Sequence, residues 1–436
     1  MPFLLILLTL LCLAPSGFAQ SDSTVYSAAD TGWILTAAMF VFLMQIGFCM
    51  LEMGLSRAKN TLNVAMKNVL DFSAASLAFL FFGFTLMFGA SMGGIIGWDS
   101  FKLWNIPGDS PFWAYWFFQT MFAATACTIA SGAMAERTRF LGYLFYTVVL
   151  SGFIYPLFGH WAWGGGATGL AFGFGGDAGW LGRIGFHDFA GSTVVHAVGG
   201  AAALAGIIVV GPRKGRFAPD GSPRYMPGHN LPLATFGTLI LWVGWFGFNA
   251  GSLLEASDQL GRICVNTMVA GSAGAIFGMA LFWILRGTPN PMIALNGILG
   301  GLVAITACCD LVNPLFAVVI GAVAGLISTW GSLLLEKFLI DDVVGAVPVH
   351  LFNGFWGTMC VGLFAEGAMF NLDVLAVQAI GTTSICLGAF ILSYICFAVI
   401  NKLIGLRATD REQEDGLDFS EHSANAYADF LTRNRS

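Results

Sequence analysis

Two short stretches of this chain set an acid eight residues ahead of a histidine within apolar sequence. In Asp188-Phe189-Ala190-Gly191-Ser192-Thr193-Val194-Val195-His196 the acid opens a long apolar segment and the imidazole lies two turns deeper. Further on, Asp342 precedes His350 by the same interval. Each histidine follows a valine, Val195 or Val349, and each has a glycine four residues on, Gly200 or Gly354. Ionisable groups are costly inside a bilayer, so they usually mark a pathway or a site. Burial favours the neutral imidazole, which carries one donor and one acceptor nitrogen. Two such rings side by side can share one N–H, bond a small polar molecule and relay protons. The recurrence also reads as two structurally repeated halves.

The elements that must carry these groups follow from composition. Of 436 residues, 57% are hydrophobic and 10% charged, against roughly 25% charged in soluble domains. Apolar runs of about 20 residues, the length a bilayer demands, recur along nearly the whole chain. This excludes a soluble globular protein and predicts an all-α polytopic membrane protein. Eleven spans are expected, at 31–54, 68–91, 112–134, 140–160, 189–210, 231–251, 263–285, 291–309, 313–335, 346–368 and 374–402. With the mature amino terminus outside, only Lys102, Arg183 and Arg262 among the 19 basic residues fall in external loops. The cytoplasmic excess of positive charge fits the positive-inside rule and an odd number of spans. Five spans precede the loop at 211–229, five follow it, and one is left over. A five-helix unit repeated in sequence inserts upside down the second time. The two His-bearing spans, the fifth and tenth, then converge near the midplane as partners across a pseudo-two-fold axis.

Residues 1–19 are apolar and end Ser16-Gly17-Phe18-Ala19, which reads as a cleaved signal peptide. Residues 20–403 form the transmembrane domain and 404–436 a cytoplasmic tail. The tail carries Asp410, Glu412, Glu414, Asp415, Asp418, Glu421 and Asp429, and reads equally as a partner surface or a solvated segment. The eight cysteines after the signal are scattered, without a CxxC pair, as expected of buried inert thiols. Gly274 and Gly278, Gly297 and Gly301, and Gly321 and Gly325 have the spacing that lets helix backbones approach closely. His160 and His187 read as external-face residues, and His229 and His422 as cytoplasmic. Glu52 and Asp71 fall in or near spans with no assigned role.

With these residues on the page, the chain resembles the ammonium transporter family (Amt/Mep/Rh), on its Amt side. The resemblance lies in six motifs in order: Ala135-Glu136-Arg137; His160 to Gly166; Asp188 to His196; Trp245 to Ser252; Asp341-Asp342 to His350; and Gly416 to His422. Two departures stand out. Gly345 occupies the place where the family often has a third Asp, and the loop 164–187 is longer than in compact members.

The resemblance implies an external recruitment site formed by Phe122, Trp163 and Ser252. Its chemistry is sound, since aromatic faces attract a cation by about 2 kcal/mol when desolvated and a hydroxyl accepts an N–H bond. It also implies that Phe122 and Phe248 stack as a gate, with Phe118, one turn before Phe122, at the entrance. His196 and His350 then line the pore. Asp188 is either the acceptor of the substrate proton or a structural anion that caps its helix and supports the cation-attracting vestibule; capping is the favoured expectation.

The expected function is ammonium transport, not an enzymatic activity. Ammonium is bound outside and deprotonated, and ammonia passes the two histidines, with or without a separate path for the proton. The alternative is a sensor in the same fold that signals through its tail. A membrane haem protein with His196 and His350 as axial ligands is a third reading, and two converging pore helices leave little room for the ring. No cofactor, metal or nucleic acid is expected. A homotrimer in the cell (inner or plasma) membrane, and a cytoplasmic P-II signal protein at the tail and loop 211–229, are further implications of the resemblance.

Overall fold

A computed structural model describes residues 26–98, 111–165 and 177–427. The signal segment and part of the loop 164–187 lie outside these residues. The helices are α1 (Ala28–Leu55), α2 (Ala58–Phe88), α3 (Phe112–Ala133), α4 (Phe140–Trp163), α5 (Ser192–Val210), α6 (Leu231–Gly251), α7 (Gln259–Arg286), α8 (Pro291–Ile305), α9 (Pro314–Lys337), α10 (Val347–Phe364) and α11 (Leu372–Ile404). Among the described residues nine of these are long and apolar enough to cross a membrane. The other two are α3, which carries Gln119, Thr120, Thr125, Thr128 and Ser131, and α8, which has only 15 residues. Every expected span overlaps one of these helices.

Local sequence explains where the helices begin. Ser27 and Asp30 form a capping box at α1. Asn230, Asn290 and Asn313 cap α6, α8 and α9, each with a proline in the first turn where no N–H is required. Asn371 caps α11. The apolar faces left over differ by depth. α3 is buried on nearly all sides, as suits a helix at the centre of a bundle. α7 and α11 keep exposed apolar side chains such as Ile276, Ile284, Leu387 and Ile395 for lipid.

The repeat is visible atom by atom where α5 and α10 begin. Both helices open with a π-helical segment, Ser192–Ala197 and Val347–Phe352. Asp188 accepts the N–H groups of Gly191, Thr193 and Val194 at 3.1, 2.9 and 2.8 Å. Asp342 accepts those of Gly345, Ala346 and Val347 at 2.9, 3.0 and 2.8 Å. Each acid thereby ties up N–H donors that a helix start leaves orphaned. Three residues after each acid stands a glycine with positive φ, Gly191 at 107° and Gly345 at 79°. Gly345, a departure from the family's third Asp, is therefore the match of Gly191. The other repeated glycines meet across the pair. A Cβ on Gly200 would lie 2.4 Å from Leu351 N, and one on Gly354 would lie 2.3 Å from Ser192 O. Crossing at such short range brings the two histidines together.

Gly191 also packs closely, since a Cβ there would lie 2.6 Å from Val195 Cγ2 and 3.0 Å from Trp163 Cη2. Gly191→Ala is expected to lose at least about 1–2 kcal/mol from the left-handed backbone alone, measured as a lower apparent Tm in detergent.

α7, α8 and α9 pack through the small-residue positions: a Cβ on Gly274 would lie 2.1 Å from Gly297 O, and one on Gly325 2.2 Å from Gly274 O. The spaced glycines thus serve packing.

Two expectations are corrected. The second span starts at residue 58 rather than 68, because Lys67 is buried within α2 and its ammonium donates to Thr138 O at 2.5 Å. A charge that reads as a boundary is satisfied by a carbonyl inside the bundle. The tail is not a free solvated segment over its described part. It folds as α12 (Asp410–Asp415) and α13 (Leu417–His422) against the starts of α2 and α4. Asp418 accepts Leu62 N and Asn63 N at 3.0 and 2.7 Å, and Glu421 accepts Phe140 N at 2.9 Å. Lys59 donates to Gln413 O and Glu414 O at 2.6 and 2.7 Å. The acids of the tail are thus partly spent on the protein's own helix starts.

Beneath the helices Arg213, Glu136 and Asp341 form a buried network. Arg213 grips Asp341 in bidentate fashion, Nε to Oδ2 at 2.8 Å and Nη2 to Oδ1 at 2.9 Å, and reaches Glu136 at 3.1 Å. Arg57 also pairs with Glu136, and Arg137 Nη2 donates to Asp341 O at 2.6 Å. The network joins the loops after α1, α3, α5 and α9, and so ties the two repeats together.

Candidate functional site: an aromatic vestibule over a histidine pair

A cavity of about 280 Å³ opens between α3, α4 and α6, with Phe118, Gln119, Phe122, Trp163, Phe189 and Ser252 among its lining. The Trp163 indole is fixed by its Nε1 donating to Asp188 O at 2.8 Å. Ser252 Oγ donates to Phe248 O at 2.9 Å, which turns its lone pairs away from its own helix and leaves them to accept an N–H. The cavity therefore offers aromatic faces and a hydroxyl acceptor, a combination suited to a small cation that donates hydrogen bonds. Gln119 and Phe189 belong to the same wall. Gln119 follows Phe118 directly, and Phe189 follows Asp188; neither stands out in the sequence from its many like neighbours.

At the cavity floor Phe122 stacks on Phe248, centroids 4.0 Å apart and planes at 18°. Phe118 lies 4.6 Å from Phe122, and Trp163 lies 6.4 Å from it on the other side. Both stacked rings are buried. Phe248 in turn touches the His196 ring at 5.3 Å, so a molecule that passes the phenyl pair next meets an imidazole.

His196 and His350 are bonded to one another, Nδ1 to Nδ1 at 3.3 Å, with centroids 5.4 Å apart. His196 is stacked on Trp245 at 4.9 Å and 17°, and Trp245 is anchored by Nε1 donating to Thr306 Oγ1 at 2.9 Å. The Nδ1–Nδ1 bond fixes the proton count. If one ring donates from Nδ1, its Nε2 is bare; the accepting ring must then carry its hydrogen on Nε2. The pair thus always presents one donor and one acceptor at its two ends. His196 Nε2 is buried and has no hydrogen-bond partner. Below, a cavity of about 20 Å³ is lined by Phe48, Glu52, Ile129, Asn296, Val349 and His350, among others.

The remaining sequence-flagged groups sit elsewhere. His160 lies in the last turn of α4 and is buried, held between Met87 O at 2.7 Å and Ser91 Oγ at 2.9 Å. His187 pairs with Asp310 at 3.2 Å; burial pulls its imidazole down, and the hydrogen bond and charge of Asp310 outweigh this and raise it. Asp71 is bonded to Thr128 at 2.9 Å and to Thr147. The eight described cysteines are free.

The sequence model of the Ammonium Transporter Family matches residues 32–427. The chain belongs to that family. It is 44% identical to Ammonium transporter Amt2 of Archaeoglobus fulgidus over 96% of this chain and 92% of that one. Among solved structures, one named Sensor Amt Protein is 40% identical, with a TM-score of 0.85, over 90% of this chain and 98% of that one. Mep2 of Candida albicans is 26% identical, with a TM-score of 0.76, over 89% and 88% of the two chains. This ammonium transporter is a multi-pass membrane protein of the Amt type, and ammonium or ammonia is its substrate.

Proposed function

We propose that ammonium binds among Phe122, Trp163 and Ser252, gives up a proton at the Phe122–Phe248 gate, and crosses as ammonia along His196 and His350 while the proton follows through the imidazoles. The observation that carries this reading is the bonded histidine pair directly beneath the stacked phenyl rings. Ammonium and potassium are alike in charge and similar in size. An apolar lumen imposes several kcal/mol on any bare ion. Ammonium can avoid that cost by shedding a proton to a base, and potassium cannot. His196 Nε2 is the base within reach of the gate. A proton accepted there moves from His196 Nδ1 to His350 Nδ1 and leaves from His350 Nε2. A passing ammonia, which both donates and accepts, resets the two rings. Net transport carries one positive charge per ammonia. Asp188 acts through its three backbone bonds, holding the turn that leads to His196, while its main-chain carbonyl anchors the Trp163 indole.

The supporting reading of topology is eleven crossings with the mature amino terminus outside, the tail in the cytoplasm and the protein in the cell membrane. Family membership supports a homotrimer with a conduit in each subunit, testable by native mass spectrometry. The face built by the loop 211–229 and the docked tail fits a cytoplasmic P-II signal protein, testable by pull-down with the purified protein.

The test of transport is reconstitution in liposomes. An ammonium jump should evoke a current, and Ser252→Ala should raise the ammonium concentration for half-maximal current roughly tenfold or more, the loss of one hydrogen bond to a charged group. The maximal current should be retained. A second reading, a sensor, draws on the 40% identity to the structure named Sensor Amt Protein and on the tail docked between the cytoplasmic loops. Ammonium binding without any flux would favour it.

A further inference from the structure

The cavity below His350 has room for one molecule the size of water or ammonia, at about 20 Å³. Of its lining side chains only Glu52, Asn296 and His350 are polar. Asn296 Nδ2 is engaged by Val344 O at 3.0 Å. Asn296 Oδ1 has no partner, so a carboxyl, an amide oxygen and an imidazole face one small space. Glu52 is buried on α1, one turn from its cytoplasmic end. Asn68 Nδ2 and Ser131 Oγ both donate to its Oε2 at 3.0 Å, so Oε1 is left for an occupant of the cavity. The surroundings are shaped to admit the group. A Cβ on Gly132 would lie 3.1 Å from Glu52 Cγ and 2.7 Å from Val344 Cγ2.

The ionisable groups around Glu52 are Lys67 and Asp71 on α2, His350 on α10, and the neutral Cys49 thiol on α1 and Tyr143 phenol on α4. Lys67 is spent on Thr138 O and Asp71 on Thr128 and Thr147. Glu52 is thus held by neutral donors, poised to gain or lose a proton without breaking an ion pair.

We propose that Glu52 is the inner proton station of the pore: it takes the proton delivered through the histidine pair and returns it to ammonia in this cavity, so that ammonium leaves on the cytoplasmic side. The inference rests on the transport reading above. In balance, the His350 Nε2–H bond breaks as the Glu52 Oε1–H bond forms. That O–H bond then breaks as the ammonia lone pair takes the proton. No electrons change hands, and Glu52 returns to its anionic form.

The test uses the full-length protein in liposomes and ammonium chloride jumps, with current and ammonia-driven internal alkalinisation recorded on the same preparations. Glu52→Gln keeps the shape and the acceptor for Asn68 and Ser131 but cannot carry the proton. Its current should fall at least about tenfold, the lower range for loss of a positioned proton-transfer group, with ammonia flux near that of wild type. Glu52→Asp should keep most of the current, and it carries the test by itself if the Gln variant fails to assemble. An unchanged current in Glu52→Gln, an equal loss of ammonia flux, or a Glu52→Asp protein that folds and conducts ammonia without current overturns the role of Glu52 and leaves the transport reading standing. A wild type that conducts ammonia without current overturns the relay and Glu52 together. A wild type with neither signal overturns transport itself.

Discussion

Replacing His196 and His350 together with alanine should lower the ammonium-evoked current of the reconstituted protein by about 10²-fold or more, the range for removing a general acid–base relay. Each ring is held for that task. His196 lies between Trp245 and the gate phenyl Phe248, and its Nδ1 is bonded to His350. Without the imidazoles the apolar stretch between gate and inner cavity offers no group to accept the proton, so the charge has no path. A single His350→Ala leaves His196 able to accept a proton with nowhere to send it, and should lose nearly as much as the double variant. The two substitutions should therefore be strongly non-additive, as residues acting as one unit are. Currents measured in liposomes at matched protein density, with an unchanged elution volume in detergent as the folding control, check this. Additive small losses would mean that the rings act separately.

Arg213→Ala should cost stability, though less than the about 3–5 kcal/mol of a fully stranded buried ion, because Arg216 still reaches Asp341 at 3.3 Å and Arg57 still pairs with Glu136. Arg213 and Asp341 are nearly inaccessible, with side-chain exposures of 4% and 1%, and Glu136 is fully buried. The control is Arg139→Ala, whose partner Glu412 lies 3.4 Å away with both side chains about a third exposed; a pair of that kind contributes about 0–1 kcal/mol. Apparent Tm in detergent separates the two. The pH dependence has a definite sign. Burial pushes the Asp341 carboxyl up, but Arg137 and the bidentate Arg213 outweigh it and hold it well below the usual carboxylate range. A depressed folded value means that the contribution is complete above the ordinary value of 3.8 and is lost as pH falls below it. Arg213→Ala should flatten that acid limb of the stability profile.

Much of this arrangement is legible in the sequence, for reasons that can be named. Asp188 with His196 and Asp342 with His350 are visible because ionisable groups are rare in apolar runs. Gly200 and Gly354 are visible because the repeat duplicates them, and they prove to be the contact points of the two helices. The match of Gly191 with Gly345 is also present in the sequence, three residues after each acid, but its meaning depends on backbone φ, which no side-chain pattern reveals. Lys67 reads as a helix boundary because a lone lysine gives no sign of the Thr138 carbonyl that satisfies it. The tail's acids read equally as a partner surface or as solvated because their actual partners, the N–H groups of Leu62, Asn63 and Phe140, are backbone donors identical at every residue. Glu52 is visible as a charge near a span. Its relation to His350 arises only when α1 and α10 are brought to one cavity, 298 positions apart in the chain.

Selection by loss of a proton is tested by comparing ammonium and potassium jumps on the same wild-type liposomes. A current with ammonium and none with potassium, even at a large excess of potassium, is the predicted result. A potassium current comparable to that of ammonium would contradict it, because potassium has no proton to leave at the gate.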